Sequence, residues 1–69
     1  MLLRSLISDR IKWVRFRSRL TQYEFAQSID VNYYTYRGYE NCRSDIPIHV
    51  LVKIANLYHV SMDYLVGLE

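Results

Sequence analysis

A chain of 69 residues, 51% of them hydrophobic, has material for one small core and too little polarity to stay disordered. Its lone cysteine, Cys42, excludes an intrachain disulfide and suits a reducing compartment, and no apolar run approaches the ~20 residues that cross a bilayer. Net charge is only +2, but residues 1–19 hold Arg4, Arg10, Lys12, Arg15, Arg17 and Arg19 against Asp9 alone, while the rest is slightly acidic. Such a distribution suits a surface that meets phosphate on one side, and equally an ordinary solvated helix face. Residues 1–4 lack the apolar core and cleavage site of a signal peptide, so a cytoplasmic location is expected.

Leu3, Ile7, Ile11 and Val14 recur at helical spacing and predict a first helix over 3–17, with Trp13 and Phe16 flanking the stripe as partly buried core residues. Thr21 is the expected N-cap of a second helix over 22–29. Thr21-x-x-Glu24 is a capping box, in which each side chain satisfies one orphan N–H. Phe25, Ala26 and Ile29 share its buried face. Asn32 caps a third helix over 33–40, whose inward side carries Tyr36, Tyr39 and Glu40. Asn, Ser and Asp cluster over 41–47, a loop, and Pro47 is expected at the first position of a fourth helix that buries Leu51, Ile54, Ala55 and Tyr58. Ser61 caps a short last helix that stops at Gly67. The chain reads as an all-α bundle of five helices.

Helices joined as closely as the second and third cannot lie side by side; they cross steeply. Leu20-Thr21-Gln22-x-x-Phe25-Ala26, then Val31-Asn32, then Tyr39-Glu40-Asn41, resembles the lambda-repressor/Cro-type (XRE-like) helix-turn-helix family. Arg43-Ser44-Asp45-Ile46-Pro47, Leu51-x-x-Ile54-Ala55 and residues 60–67 fit the same pattern downstream, as do Arg10-Ile11-Lys12 and Val14-Arg15 upstream. The resemblance covers roughly residues 8–67. It implies one compact five-helix DNA-binding domain over 1–69, with the helix-turn-helix core at about 21–40. The implied function is a small transcriptional regulator, expected to be a repressor, whose helix over 33–40 enters the major groove.

With Tyr36, Tyr39 and Glu40 inward, a 100° rotation per residue turns Tyr33, Tyr34, Arg37 and Gly38 outward, onto positions where the family reads bases. Arg37 is the expected reader of guanine, gripping O6 and N7 together. Tyr33 and Tyr34 suit thymine methyls or phosphates. Gln22, at a helix N-terminus that favours an anion, matches the family's backbone-clamping glutamine. Asn32, Asn41 and Arg43 are the other expected phosphate contacts. Arg15 and Glu40 match a structural ion pair that ties the first helix to the reading helix. Gly38 departs from the pattern by offering no side chain. Arg19 and Cys42 stand at turns where the family usually has glycine; either their backbones keep a left-handed conformation at some strain, or the turns differ.

Two copies on a near-palindromic operator are expected, with half-sites about 34 Å apart. Dimer contacts would come from Met62, Leu65, Val66 and Leu68, or alternatively from Leu2, Leu3 and Leu6. Without an effector domain, control is expected to come from abundance, partners or competition for the operator, and the bound protein would lie on the nucleoid. A protein-interaction module on the same scaffold stays open beside this reading. Tyr23, Tyr33, Tyr34, Tyr36 and Tyr39 crowd the motif, and Tyr33, Tyr34 and Gly38 would form a flat patch for a protein partner. Cys42, His49 and His59 lack metal-ligand spacing, and neither a nucleophilic triad nor a phosphate-cradling loop is present, so no metal, cofactor or enzyme activity is expected.

Overall fold

Hydrophobic spacing and caps place the helices. The computed structural model describes residues 3–69, as α1 (Leu3–Arg17), α2 (Gln22–Ser28), α3 (Tyr33–Glu40), α4 (Ile48–Tyr58) and α5 (Met62–Leu65), without a strand among the described residues. A dimer contact through Leu2 lies outside them. The capping box forms as expected: the Glu24 N–H donates to Thr21 Oγ1 at 3.1 Å, and the Thr21 N–H to Glu24 Oε1 at 2.9 Å. Asn32 Oδ1 accepts from the N–H groups of Tyr34 at 2.9 Å and Thr35 at 3.4 Å. Ser61 Oγ accepts from Tyr64 at 2.9 Å. Each cap of this kind stabilises its helix by about 1 kcal/mol.

Pro47 departs from its expected place. With φ −60° and ψ 148° it is the extended N-cap, and the helix begins one residue later. Its ring presets only φ, which cap and helix share, so the sequence does not choose between them. Four non-glycine residues take left-handed backbone just past a helix: Arg19 (φ 59°), Asp30 (61°), Cys42 (61°) and His59 (57°). Arg19 and Cys42 therefore keep the turn that glycine would make more cheaply, at roughly 1 kcal/mol each. At Gly67 (φ 85°) a side chain would be strained, and a Cβ would lie 2.0 Å from Leu6 Cδ2, so Leu6 would have to move.

The core joins Ile11 and Val14 of α1, Phe25 and Ala26 of α2, Ile29 at its C-cap, Tyr36 and Tyr39 of α3, Val50, Leu51 and Ile54 of α4, and Leu65 of α5. Phe25 is its hub, its ring stacked on Tyr58 at 4.7 Å and tilted against Tyr36 at 5.3 Å. Ala55 and Tyr58 are only partly buried, and Val50 takes a core place that the spacing did not predict. Trp13 and Phe16, expected in the core, are 54% and 58% exposed, because α1 packs on α3 and α5 through one narrow stripe. Leu3, at the outer end of that stripe, is also exposed. Leu65 is fully buried and so is not available for a dimer contact; Leu68 remains exposed.

One charged cluster locks α3 to its neighbours. Arg15 donates to both oxygens of Glu40, Nε to Oε2 at 2.7 Å and Nη2 to Oε1 at 3.1 Å, and its Nη1 reaches the Leu20 carbonyl at 3.0 Å. Gln22 Nε2 donates to Glu40 Oε1 at 2.9 Å, and the Tyr36 hydroxyl donates to Oε2. Glu40 is only 4% exposed. Burial pushes its carboxyl up, but hydrogen bonds from Arg15, Tyr36 and Gln22 and the Arg15 charge outweigh this and hold it below the usual carboxylate range. Burial and the hydrogen bond to the Glu40 carboxylate push the Tyr36 phenol up from its ordinary value.

Gly38 is covered as well. It is buried, its carbonyl accepts from the Arg43 N–H at 2.9 Å, and an added Cβ would lie 3.0 Å from Ser44 Oγ. The outward, base-reading place expected for it is therefore not its place. A rotation of 100° per residue does turn position 38 outward, but the 41–44 turn folds back over it and buries it.

Three outcomes follow from this packing. Glu40→Ala leaves the Arg15 guanidinium stranded and should destabilise the domain by about 3 kcal/mol, against about 1 for Glu24→Ala, which breaks only a cap. Comparable melting temperatures for the two variants would contradict the role given to the cluster. Because the Glu40 carboxyl is lowered in the folded state, its stabilisation is complete above the ordinary carboxylate pKa and vanishes as pH falls through the depressed one. Wild type should thus lose stability more steeply than Glu40→Gln below about pH 5 in urea melts at stepped pH. Gly38→Ala should raise stability by about 0.5 kcal/mol, since the exposed Ser44 hydroxyl can rotate away and alanine favours the helix by about 1. A loss in urea unfolding would mean that the 41–44 turn cannot yield.

Candidate nucleic-acid interface

The α2–α3 turn spans four residues, from the Ile29 C-cap through left-handed Asp30 and half-buried Val31 to the Asn32 N-cap. The Val31 N–H donates back to the Ala26 carbonyl at 2.9 Å, so the chain reverses tightly and presents α3 beside the start of α2. With Tyr36, Tyr39 and Glu40 inward and Gly38 covered by the 41–44 turn, the outer side of α3 carries Tyr33, Tyr34, Thr35 and Arg37. Tyr34 is 73% exposed, whereas Tyr33 and Arg37 are half-buried against one another.

These outer residues form an aromatic and cationic cluster. The Tyr33 ring meets Tyr34 at 5.4 Å and takes Tyr23 of α2 edge-on at 5.8 Å. The Arg37 guanidinium carbon lies over the Tyr33 ring, 5.6 Å from its centre. That is within the range of a cation–π attraction. No carboxylate pairs with Arg37 among the described residues, since the ion pairs there are Arg4–Asp45, Lys12–Asp9 and Arg15–Glu40. The guanidinium therefore rests on a ring and keeps its N–H donors for another partner.

The expected phosphate contacts ring this cluster and differ in how free they are. Asn41 and Arg43 are exposed just past α3, with Asn41 as its C-cap. Asn32 is exposed too, and its cap uses only the side-chain oxygen, which leaves both amide hydrogens available. Gln22 is half-buried and already committed through one amide hydrogen to Glu40. Thr35 is an exposed hydroxyl that the sequence reading passed over, although the same 100° rotation places it beside Tyr34. Tyr23 is the other omission from the reading surface. Its hydroxyl accepts from Gln27 at 3.1 Å, an i,i+4 pair that spacing alone reveals.

The basic first helix is not a free phosphate-facing strip. Arg4 pairs with Asp45 at 2.6 Å, Lys12 with Asp9 at 3.7 Å, and Arg15 with Glu40. Arg10 donates to the Tyr64 carbonyl at 2.7 Å and lies over the Tyr64 ring. Of the cations over 1–19, Arg17 and Arg19 have neither an ion pair nor a side-chain hydrogen bond among the described residues. Those residues also hold no group of three metal-ligating side chains and no helix long and apolar enough to cross a membrane.

Comparison with known proteins bears on this architecture. A helix-turn-helix family model matches residues 11–65, which run from the α1 core stripe to the end of α5. Two proteins of Bacillus subtilis (strain 168) are similar. The uncharacterized HTH-type transcriptional regulator YobD is 37% identical over 60 residues, 87% of this chain and 54% of its own length. The HTH-type transcriptional regulator ImmR is 34% identical over 61 residues, 88% of this chain and 48% of its own. The chain thus spans about half the length of the curated relatives it matches. No solved structure gives a significant match. With the family match running from the second half of α1 to the end of α5 and the tight α2–α3 turn in place, the chain belongs to the helix-turn-helix family, of the lambda-repressor/Cro-like kind that its motifs resemble.

Proposed function

We propose that this domain binds double-stranded DNA sequence-specifically as the reading part of a transcriptional regulator, a repressor, with α3 in the major groove. The observation that carries the reading is the division of α3. Its inner side is clamped by the Glu40 cluster, and its outer side offers Arg37 without a carboxylate partner. A clamped helix with open donors suits base edges, which must be met in one geometry. The relatives, both named HTH-type transcriptional regulators, support the same reading.

In this assignment Arg37 reads guanine, Tyr33 and Tyr34 contact neighbouring bases, and Thr35 joins them. Asn32, Asn41, Arg43 and the N-terminus of α2 at Gln22 hold phosphates and set the register. Gly38 lends close backbone packing rather than a contact. Two copies would occupy a near-palindromic operator, meeting through exposed Leu68 with half-buried Met62 and Val66. The bound form would reside on the nucleoid, in the cytoplasm. A protein-binding role has one observation in its favour, the exposed Tyr34 beside Tyr23 and Tyr33.

Selection from a random duplex library, followed by titration at two salt concentrations, tests the proposal. A palindromic site should be enriched, with affinity falling steeply as salt rises. Arg37→Ala should cost about 1–3 kcal/mol and relax one base position. Arg43→Ala should instead weaken all sequences alike and lower the salt slope by about 1. Weak, sequence-blind binding that Arg37→Ala leaves unchanged would overturn the DNA-reading role and move the search to a protein that needs Tyr34.

A further inference from the structure

The cation–π contact joins two side chains that would otherwise read bases independently. Arg37 lies one helical turn from Tyr33, and its guanidinium carbon is 5.6 Å from the ring centre. Tyr33 cannot easily turn away, because Tyr23 meets it edge-on at 5.8 Å and Tyr34 lies at 5.4 Å. The ring is therefore a held apolar surface at a nearly constant offset from the cation. Residues four apart are separated by about 6 Å along a helix and stacked bases by about 3.4 Å per step, so Tyr33 and Arg37 can reach base pairs one or two steps apart. A guanidinium over an aromatic face also keeps its donors available for guanine O6 and N7.

We infer that Tyr33 and Arg37 act as one reading unit whose target is a C5-methylated pyrimidine within two base pairs of the guanine held by Arg37. The inference rests on the DNA-binding role proposed above. In the major groove only the C5 methyl gives an apolar ring something that a hydrogen-bond code does not. Thymine supplies that methyl in ordinary DNA, and 5-methylcytosine supplies the same group on a base with different hydrogen-bonding edges. The unit therefore distinguishes thymine from uracil and 5-methylcytosine from cytosine, in both cases by the methyl alone.

The test uses the whole chain and the duplex enriched from the random library. Each thymine within two base pairs of the Arg37-dependent guanine is replaced singly by deoxyuridine, which removes one methyl and leaves every hydrogen-bonding edge unchanged. At one position affinity should fall about fourfold, matching the ~0.8 kcal/mol of one buried methyl. A similar gain should appear there when cytosine is replaced by 5-methylcytosine. Tyr33→Phe should keep the sensitivity, and Tyr33→Leu should reduce it. If Arg37-dependent binding persists but no deoxyuridine substitution in that window changes affinity, the inference is overturned while the DNA-binding role stands. An enriched site with no pyrimidine methyl near the guanine has the same consequence. If no duplex is enriched at all, the DNA-binding role falls and this inference falls with it.

Discussion

The buried carboxylate of Glu40 sets the geometry on which the rest of this domain depends. Taking an ion out of water costs several kcal/mol unless its oxygens are met by donors in good geometry. Here the donors come from three helices: Arg15 of α1, Gln22 of α2 and Tyr36 of α3 itself. Satisfying one carboxylate therefore requires all three helices to be in place together. Because Glu40 is the last residue of α3, the cluster holds the end of the helix that sequence alone would leave to fray. Arg15 also reaches the Leu20 carbonyl, so the turn before α2 is tied to the same point.

An eight-residue helix is too short to persist alone in water and takes its stability from the face it buries. In α3 that face is unusually demanding, since two tyrosines and a glutamate turn inward. The phenol of Tyr36 is fully buried and needs an acceptor, which Glu40 supplies. What remains for the outer surface is a short run with few side chains, and the tyrosines there pack on each other instead of standing alone. Their mutual contacts, and the seat they make for Arg37, reduce the freedom that binding would otherwise have to remove.

Charge is distributed by the same economy of contacts. Most cations of α1 are engaged inside the molecule, by Asp45, Asp9, Glu40 or the Tyr64 carbonyl. The arginines left outside the ion pairs include Arg37 and Arg43, on or just past α3. A count of basic residues along the chain therefore overstates how much of the charge of α1 is free. Exposed surface pairs contribute little to stability. The Arg4–Asp45 pair does more as a tether, fastening the loop before α4 to the start of α1 together with the bond from Arg4 to the Cys42 carbonyl at 3.3 Å.

The helices, the Thr21 and Asn32 caps and the inward set of α3 were legible in the sequence, because each depends on residues within about four positions. The left-handed backbone at Arg19 and Cys42, by contrast, was one of two alternatives that the structure decides. The Arg15–Glu40 pairing was legible through family resemblance, although the residues lie 25 positions apart. What the sequence did not carry is which long-range partner each polar group finds. Gln22 bonds to Glu40 across 18 positions, and Arg10 to Tyr64 across 54. The exposure of Trp13 and Phe16, the burial of Gly38 under Ser44 and the burial of Leu65 likewise depend on where neighbouring elements stop. Periodicity names a face of a helix, but only packing sets how wide that face is, because burial is a property of the surface that covers a residue and not of the residue itself.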